Sequence, residues 1–379
     1  MEFQGAEIAD AEGSHEITTE EIDTENGLPT INGLNIDNGL NVDNGLNVDN
    51  GLSCVDGLMT TSAGRMTVSY LVKCALAAGS TLVKGAYTYT GQLGLAPEWK
   101  TGACNTACQE NISACMMAHV NTSGAHYPLW VIGPQASLGW GRTNAKPFIE
   151  SAFFGNIFPS PPKAYYCNGP DYERVPVKGR IGAETSTTVF HNPYSGEGMC
   201  NDYCQSNSDG YLSCSQYTRP ITVYRDLDTA NAYTICEGES TSSPACLSAS
   251  SSTSNVTLQS ASSTSTLQRW KFERYSTTTR DGNYRIKNVY TGKYMTVTST
   301  SSGTTISTAT GSTSSTGQRW NLKEISLSTL GNGSFGIQNN ASLKFIDDAQ
   351  MSYGNTALQT TQPAPNWYTG QAWKLKLMP

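Results

Sequence analysis

Apolar and polar residues alternate in short runs through the C-terminal part of the chain, and the same set of runs occurs three times. Each set has four runs separated by turns rich in serine, threonine and glycine, which predicts short β-strands. The first aromatic residue of each set, at positions 233, 284 and 335, recurs after 51 residues. Twelve strands in three equivalent sets predict an all-β barrel over residues 219–379, because barrel closure leaves no strand edge exposed. The runs are Tyr233–Ile235, Cys246–Leu247, Val256–Gln259 and Gln268–Trp270; Tyr284–Ile286, Tyr294–Met295, Thr305–Ser307 and Gln318–Trp320; and Phe335–Ile337, Phe345–Ile346, Ala357–Gln359 and Gln371–Trp373.

The middle of the chain shows helical periodicity instead. Within Thr67–Ala78, the apolar residues at positions 68, 71, 72, 75 and 76 fall on one face of a helix. A second helix is predicted over Cys104–Val120, where Cys104, Cys108 and Cys115 share one face. Short aromatic runs with Gly and Pro follow, and they are typical of strands and loops. We therefore predict a Cys-rich α+β domain of unknown function over residues 59–218.

The N-terminal part of the chain has two sections. Residues 1–25 are polar and acidic, which predicts a disordered tail. Residues 26–58 repeat a six-residue unit in which Leu-Asn-Val suits a short strand and Asp-Asn-Gly suits a tight turn. Two interpretations remain open for this repeat arm: a flexible spacer, or an ordered ribbon packed on the body of the protein.

Charge and composition narrow the function classes. The chain has 379 residues and a formal net charge of -7, which argues against a general nucleic-acid-binding protein. Residues 1–56 contain thirteen acidic residues and neither Lys nor Arg, so the remainder of the chain is mildly basic. No apolar run is long enough for a membrane-spanning helix.

Eleven cysteines predict a disulfide framework and an oxidising compartment. Eight of them lie between residues 74 and 214, and the spacing allows many connectivities. Because Cys115 precedes His119 by one helical turn, a Cys/His dyad, or a zinc site that adds Cys108 and His126, stands as an alternative to disulfide formation. We assign no metal ion or cofactor. The eight cysteines are Cys74, Cys104, Cys108, Cys115, Cys167, Cys200, Cys204 and Cys214.

Three Gln-x-Trp motifs about 50 residues apart resemble those of the ricin-B-type β-trefoil lectin family. They begin at Gln268, Gln318 and Gln371 and end at Trp270, Trp320 and Trp373. The resemblance covers about 160 residues and implies a β-trefoil that binds carbohydrate. It also implies that each Trp fills the core, that each Gln bonds to backbone, and that Cys236 and Cys246 form a local disulfide.

The same resemblance points to one sugar-binding candidate. In the family, an Asp follows a Gly-Lys-aromatic stretch and accepts sugar hydroxyls. Asp347 keeps that residue in the third repeat, whereas Thr296 and Ser248 stand there in the second and first repeats. The complete family constellation is present in no repeat. Nearby polar and stacking candidates in the third repeat are Asn366, Trp367 and Tyr368.

The N-terminal sequence adds a second resemblance. Arg65–Gly94, together with Leu93–Trp99 and Phe153–Asn156, is similar to uncharacterised Cys-rich secreted proteins of myxobacteria that carry Asn-Gly-Leu repeats. This implies a secreted or cell-surface bacterial location. It implies no activity.

These observations favour an extracellular, lectin-like carbohydrate-binding protein. The sequence has neither a Gly-x-Ser-x-Gly nor a His-Glu-x-x-His motif, so we assign no catalytic residue. Two alternatives remain: a secreted hydrolase that the trefoil targets to a polysaccharide, and a structural surface or filament protein that self-associates through residues 26–58 as a donor strand.

Overall fold

The computed structural model divides the chain into two compact units. The first unit contains the described residues up to Arg142 and those within 149–169 and 179–225; the second contains those within 143–148, 170–178 and 226–379. The acidic tail and the repeats before residue 41 lie outside the described residues. The residues that the structure describes are 41–48, 50–120, 129–159, 163–169, 171, 204–206, 212–214, 219–238, 244–276, 283–324, 334–348, 354–360 and 369–378.

Two helices organise the first unit. Helix α1 (Ser62–Ala75) begins where the hydroxyl of Thr61 accepts a bond from the Gly64 amide, five residues before the predicted start. Helix α2 (Thr106–Ala118) begins after Asn105, whose side chain accepts from the Cys108 amide at 3.0 Å. Helix α1 buries one face in a hydrophobic core, and helix α2 is buried on all sides from Asn111 to Ala118 in the same core. Among the described residues, no helix is long and apolar enough to cross a membrane.

The described strands of the first unit form three small sheets. Strand β8 lies in the four-stranded sheet of order β3-β8-β4-β5. The long C-terminal segment of the second unit starts directly after this strand, at residue 226, whereas the sequence predicts a boundary at residue 219. The strands are β1 (Thr81–Lys84), β2 (Tyr87–Thr90), β3 (Trp130–Ile132), β4 (Phe148–Asn156), β5 (Lys163–Asn168), β6 (Cys204–Ser206), β7 (Leu212–Cys214) and β8 (Ile221–Arg225).

The described part of the repeat arm is packed on its own chain. The side chains of Leu46 and Leu52 are fully buried in the core of the first unit. Leu58, the next leucine at the same six-residue spacing, is 3% exposed. The amide of Leu46 donates to the carbonyl of Trp99 at 2.9 Å. Burial of these leucines shows that residues 41–48 and 50–58 pack on the first unit, unlike a flexible spacer. Their backbone follows turns, however, so the predicted Leu-Asn-Val strand is not found in this described part of the arm.

The second unit is a twelve-stranded antiparallel barrel, so the prediction of an all-β, trefoil-like C-terminal region is confirmed. The last strand pairs with the first along its whole length, which closes the barrel. The strands are β9 (Ala232–Glu237), β10 (Ala245–Ala249), β11 (Val256–Ser260), β12 (Trp270–Ser276), β13 (Asn283–Asn288), β14 (Tyr294–Thr296), β15 (Ser307–Ala309), β16 (Trp320–Glu324), β17 (Phe335–Asn339), β18 (Phe345–Asp347), β19 (Leu358–Thr360) and β20 (Trp373–Met378).

A ring of three backbone hydrogen bonds joins the three repeats. The amide of Val256 donates to the carbonyl of Ile306 at 3.0 Å, and the amide of Ile306 donates to Ala357 at 2.7 Å. The amide of Ala357 donates to the carbonyl of Val256 at 2.9 Å, which closes the ring. All three residues are fully buried. Each repeat therefore supplies one donor and one acceptor to a threefold arrangement.

The first aromatic residue of each repeat is buried in a different environment. The hydroxyl of Tyr233 accepts from the Asp228 amide at 2.9 Å. The hydroxyl of Tyr284 donates to Asp226 and accepts from Arg274 at 2.9 Å, while Arg274 also pairs with Asp226. Burial, and then the negative charge of Asp226, raise the pKa of Tyr284 well above its ordinary value. The tyrosine hydroxyls thus tie residues 226–228 to the barrel.

The third repeat has Phe335 at this position and replaces the hydroxyl contact with an aromatic one. The ring of Phe148 packs edge-on against Phe335, with a centroid distance of 5.7 Å and an interplanar angle of 63°. Phe148 belongs to the second unit although it precedes the trefoil sequence by many residues. The core of the barrel is therefore completed from outside the threefold repeat.

Candidate functional site

The three Gln-x-Trp motifs have the same structural environment in each repeat. Trp270, Trp320 and Trp373 are fully buried, and the indole Nε1 of each donates to a backbone carbonyl of its own repeat. A buried indole that keeps its hydrogen bond contributes apolar area without an unsatisfied donor. The acceptors are the carbonyl oxygens of Leu247 at 2.8 Å, Met295 at 3.0 Å and Ile346 at 3.0 Å.

The glutamine of each motif is also buried and holds a loop in place. The amide nitrogen of Gln268 donates to the carbonyl of Ser260, and its oxygen accepts from the amide of Ser262, both at 2.8 Å. Gln318 makes the same two bonds at the same lengths in the second repeat. Gln371 donates to a threonine hydroxyl of β19 instead. Gln268 and Gln318 therefore hold the loops that precede their own motifs.

Ser248, Thr296 and Asp347 occupy equivalent places at the ends of β10, β14 and β18. The hydroxyls of Ser248 and Thr296 bond to the next carbonyl along the chain, at 3.2 Å and 3.4 Å. The carboxylate of Asp347 is half-buried, and its Oδ2 accepts from the hydroxyl of Thr360 at 2.8 Å. Thr360 in turn accepts from Gln371 at 2.5 Å. Asp347 is thus held by a chain of hydrogen bonds that starts at the Gln-x-Trp motif.

The predicted partners of Asp347, which are Asn366, Trp367 and Tyr368, lie outside the described residues. Their placement relative to Asp347 therefore remains a prediction.

A cleft in the first repeat was not predicted from the sequence. It has a volume of about 600 Å³ and lies between the ends of β10 and β11 and the loop before the first Gln-x-Trp motif. Its lining contains hydroxyl and amide side chains and no titratable group. The polar lining includes Ser248, Asn255, Thr257, Gln259, Ser262 and Gln268.

Local hydrogen bonds fix the walls of this cleft. The hydroxyl of Ser250 accepts from the amide of Thr253 at 3.0 Å, and the hydroxyl of Ser262 accepts from the amide of Ser265 at 3.2 Å. The side chain of Gln259 donates to the hydroxyl of Thr257 at 3.3 Å. A preformed surface of neutral donors and acceptors is suited to a neutral, hydroxyl-rich ligand.

Four cysteines of the first unit form two disulfides at the place of the suggested metal site. Cys74 bonds to Cys115 and Cys104 bonds to Cys108. Cys74, Cys115 and His119 lie close enough to share a metal ion, but zinc requires thiolates and both sulfurs are committed to a disulfide. The suggested dyad and zinc site at Cys108, Cys115 and His119 are therefore wrong, and His126 lies outside the described residues.

The other cysteines show a second cluster. Cys167 and Cys204 are each disulfide-bonded, and their sulfurs lie 3.7 Å apart, so they belong to separate disulfides. Cys204 faces Cys214 across the β6–β7 pair, and Cys200 lies outside the described residues. In the second unit Cys236 and Cys246 form a disulfide.

Among the described residues of the first unit, one carboxylate is buried. Glu150 is fully buried and pairs with Arg225 at 3.1 Å. The pair is shielded from solvent on both sides, which suits a structural role.

Residues 222–309 match the family described as ricin-type beta-trefoil lectin domain-like. The cleft lies entirely within this segment. The match places a ricin B-type lectin-like domain at residues 222–309, within the observed barrel, and supports a carbohydrate-binding role. No curated protein matches the sequence of the chain.

Solved structures similar to this chain include trefoil proteins. The designed threefold symmetric protein ThreeFoil is 26% identical, with a TM-score of 0.32, over 38% of this chain and 96% of that one. The Polyporus squamosus lectin, solved with a Neu5Aca2-6Galb1-4GlcNAc epitope, is 17% identical with a TM-score of 0.32. That match covers 40% of this chain and half of the lectin. The Macrolepiota procera ricin B-like lectin, solved with lactose, is 12% identical with a TM-score of 0.32, over 41% of this chain and 99% of that one.

Proposed function

We propose that the second unit binds carbohydrate through the cleft of its first repeat. The observation that carries the proposal is the cleft itself: an open surface depression of about 600 Å³, lined by hydroxyl and amide groups, inside the segment that matches the lectin family. Amide side chains donate and accept at once, so Asn255 and Gln259 pair with vicinal sugar hydroxyls. The apolar surface of Leu267 covers part of the C–H face of the sugar.

The third repeat supplies a second carbohydrate site around Asp347. A carboxylate accepts hydrogen bonds from two neighbouring hydroxyls, and the bond from Thr360 fixes its orientation. Asn366, Trp367 and Tyr368 would complete this site by hydrogen bonding and by stacking on the sugar face.

The disulfides support an extracellular location for this activity, because such bonds persist in oxidising compartments. The buried leucines of residues 41–58 already contact their own chain, so this part of the repeat arm does not favour the donor-strand function. We propose no activity for the first, Cys-rich unit.

A glycan array of the full chain, followed by calorimetry on the strongest ligand, tests the cleft. We expect Asn255→Ala with Gln259→Ala to weaken binding by about tenfold or more, because two bonds of about 1 kcal/mol each are lost. The matched control is Thr305→Ala, at the equivalent position of the second repeat. Unchanged affinity in the double variant, with the fold intact, would overturn the proposal.

A further inference from the structure

The outer face of β12, β13 and β14 carries an unusual concentration of positive charge. Lys271 on β12 lies directly opposite Lys287 on β13. Like charges at directly opposed positions destabilise a sheet. The amine of Lys271 donates to the carbonyl of Ala230 at 2.9 Å, which places the charge but does not neutralise it.

One carboxylate organises the neighbouring cations. Glu273 accepts from Arg285 at 3.0 Å and from the hydroxyl of Tyr294 at 2.8 Å, and it lies 3.8 Å from Lys287. Because a single acid serves two cations, the network fixes side-chain positions and leaves an excess of positive charge. The side chains of Glu273, Arg285 and Lys287 are 36%, 20% and 39% exposed, so a ligand can reach them.

Aromatic rings accompany these cations. The guanidinium of Arg285 and the amine of Lys287 lie 4.8 Å and 5.6 Å from the ring centroid of Tyr294. Further along β12, the ring of Tyr275 lies 3.8 Å from the guanidinium of Arg319, the residue before β16.

A break in strand register presents Tyr275 to solvent. The pairing of β12 with β13 shifts between Arg274 and Ser276, which makes Tyr275 the extra residue of a β-bulge. Bulges redirect side chains, and Tyr275 is 38% exposed. Arg274 anchors the strand immediately before the bulge through its pair with Asp226. The ring is therefore exposed on a rigid support.

We propose that this surface, the cationic face, binds an acidic glycan that carries carboxylate or sulfate groups. It comprises Lys271, Glu273, Tyr275, Arg285, Lys287, Tyr294 and Arg319. The proposal rests on the carbohydrate-binding function of the second unit and names a substrate class for a surface separate from the cleft. Lys271, Lys287 and Arg285 pair with the anionic groups, and Tyr275 with its stacked Arg319 supports a sugar ring. The distance along β12 from Lys271 to Tyr275 is about 13 Å, which gives room for an oligosaccharide.

A single-stranded nucleic acid is the other polyanion that a basic, aromatic surface suits. Glu273 in the centre of the face opposes a continuous phosphate backbone, and the net charge of the chain is -7. The acidic glycan is favoured because its charges are separated by neutral hydroxylated rings.

The experiment compares binding of the full chain to dextran sulfate, to neutral dextran and to single-stranded oligothymidylate. We expect Lys271→Gln with Lys287→Gln to weaken dextran sulfate binding about tenfold. The matched control, Lys374→Gln with Lys376→Gln on β20, removes the same charge elsewhere and should change affinity less than about threefold. Tyr275→Ala keeps the charge and should also weaken dextran sulfate binding, which general electrostatic attraction does not explain.

Three results would overturn the proposal: equal losses in the test and control variants, unchanged binding in both the lysine and tyrosine variants, or tighter binding of the oligonucleotide. Ligands found for the cleft should bind all these variants normally. If the cleft is not a carbohydrate site, no cleft ligand will be found, whatever the result with dextran sulfate. Failure of the cleft proposal and failure of the cationic-face proposal are therefore distinguishable. Circular dichroism checks the fold of each variant, and the salt dependence of dextran sulfate binding should weaken with the two lysines removed.

Discussion

Gly51 lies directly on the backbone of Gly45. A Cβ atom built on Gly51 would come within 1.9 Å of the carbonyl oxygen of Gly45, and one built on Gly45 would come within 2.4 Å of the backbone of Thr101. Consecutive six-residue units therefore stack at a distance that only glycine permits, while Leu46 and Leu52 enter the core. The six-residue period of the sequence therefore matches the spacing at which the Gly and Leu residues pack.

Gly51→Ala should therefore destabilise the first unit. We expect a loss of about 1–3 kcal/mol, the usual cost of forcing a methyl group into a packed site. Urea denaturation followed by tryptophan fluorescence measures it. Gly102→Ala is the control, because its nearest neighbour would lie 3.5 Å from the added atom. Equal stability of the two variants would contradict the stacked arrangement.

The disulfides should differ in their contribution to stability. Cys74–Cys115 spans 41 residues and Cys104–Cys108 spans only 4. By loop-closure entropy the former stabilises by about 4 kcal/mol and the latter by about 2 kcal/mol. All four cysteines are buried, so paired alanine substitutions create comparable cavities and the difference isolates the loop. Calorimetric melting under oxidising conditions should show the larger loss for Cys74→Ala with Cys115→Ala, and the reverse order would rule out this explanation.

Alkaline pH should weaken the first unit through Tyr89. Burial, chiefly, raises the pKa of Tyr89 to about 12. The unfolded chain ionises near pH 10, so the contribution of Tyr89 is complete below pH 10 and is lost as the pH rises through about 12. Tyr89→Phe removes this dependence. The only hydrogen bond that this variant loses is the 3.4 Å contact from the Tyr89 hydroxyl to the sulfur of Met59, so the free energy of unfolding at neutral pH should change little. Denaturation of both proteins at about pH 8 and pH 11 tests this, and parallel losses would exclude Tyr89 as the cause.

Asp347→Ala should abolish binding at the third repeat while leaving the cleft ligand bound. The variant removes the carboxylate that Thr360 orients, and with it two acceptors for sugar hydroxyls. Glycan-array profiles of Asp347→Ala and of Thr296→Ala, the equivalent change in the second repeat, provide the comparison. A profile identical to that of the unmodified chain would remove Asp347 from the binding sites.

Periodicity predicted much of this fold because it reports burial directly. The alternation in each repeat predicted the trefoil-like barrel, since inward and outward side chains alternate along a strand. Helix α1 begins before its apolar pattern does, because the cap at Thr61 determines the first turn. Burial of Phe148 against Phe335 depends on a contact between segments 187 residues apart, which no local pattern encodes.

The candidate site was less predictable than the fold. The spacing of the family motif identified Asp347 but not the cleft. The cleft depends on how small residues leave space between loops in the folded protein, and the sequence does not encode that space directly. The sequence feature that marks the cleft is the pair of serine-rich runs around Ser250 and Ser262. Because ordinary turns have the same composition, these runs do not distinguish a binding cleft from a turn. The cationic face likewise required the strand register that sets Lys271 against Lys287.

The hydrogen bonds among Val256, Ile306 and Ala357 form a closed circuit. Removal of any one repeat therefore leaves one neighbouring repeat with an unpaired amide donor and the other with an unpaired carbonyl acceptor. An excised repeat would expose this donor and acceptor to water, whereas three copies of one repeat could close the same circuit as a homotrimer. The circuit thus makes trimerisation the expected behaviour of an isolated repeat.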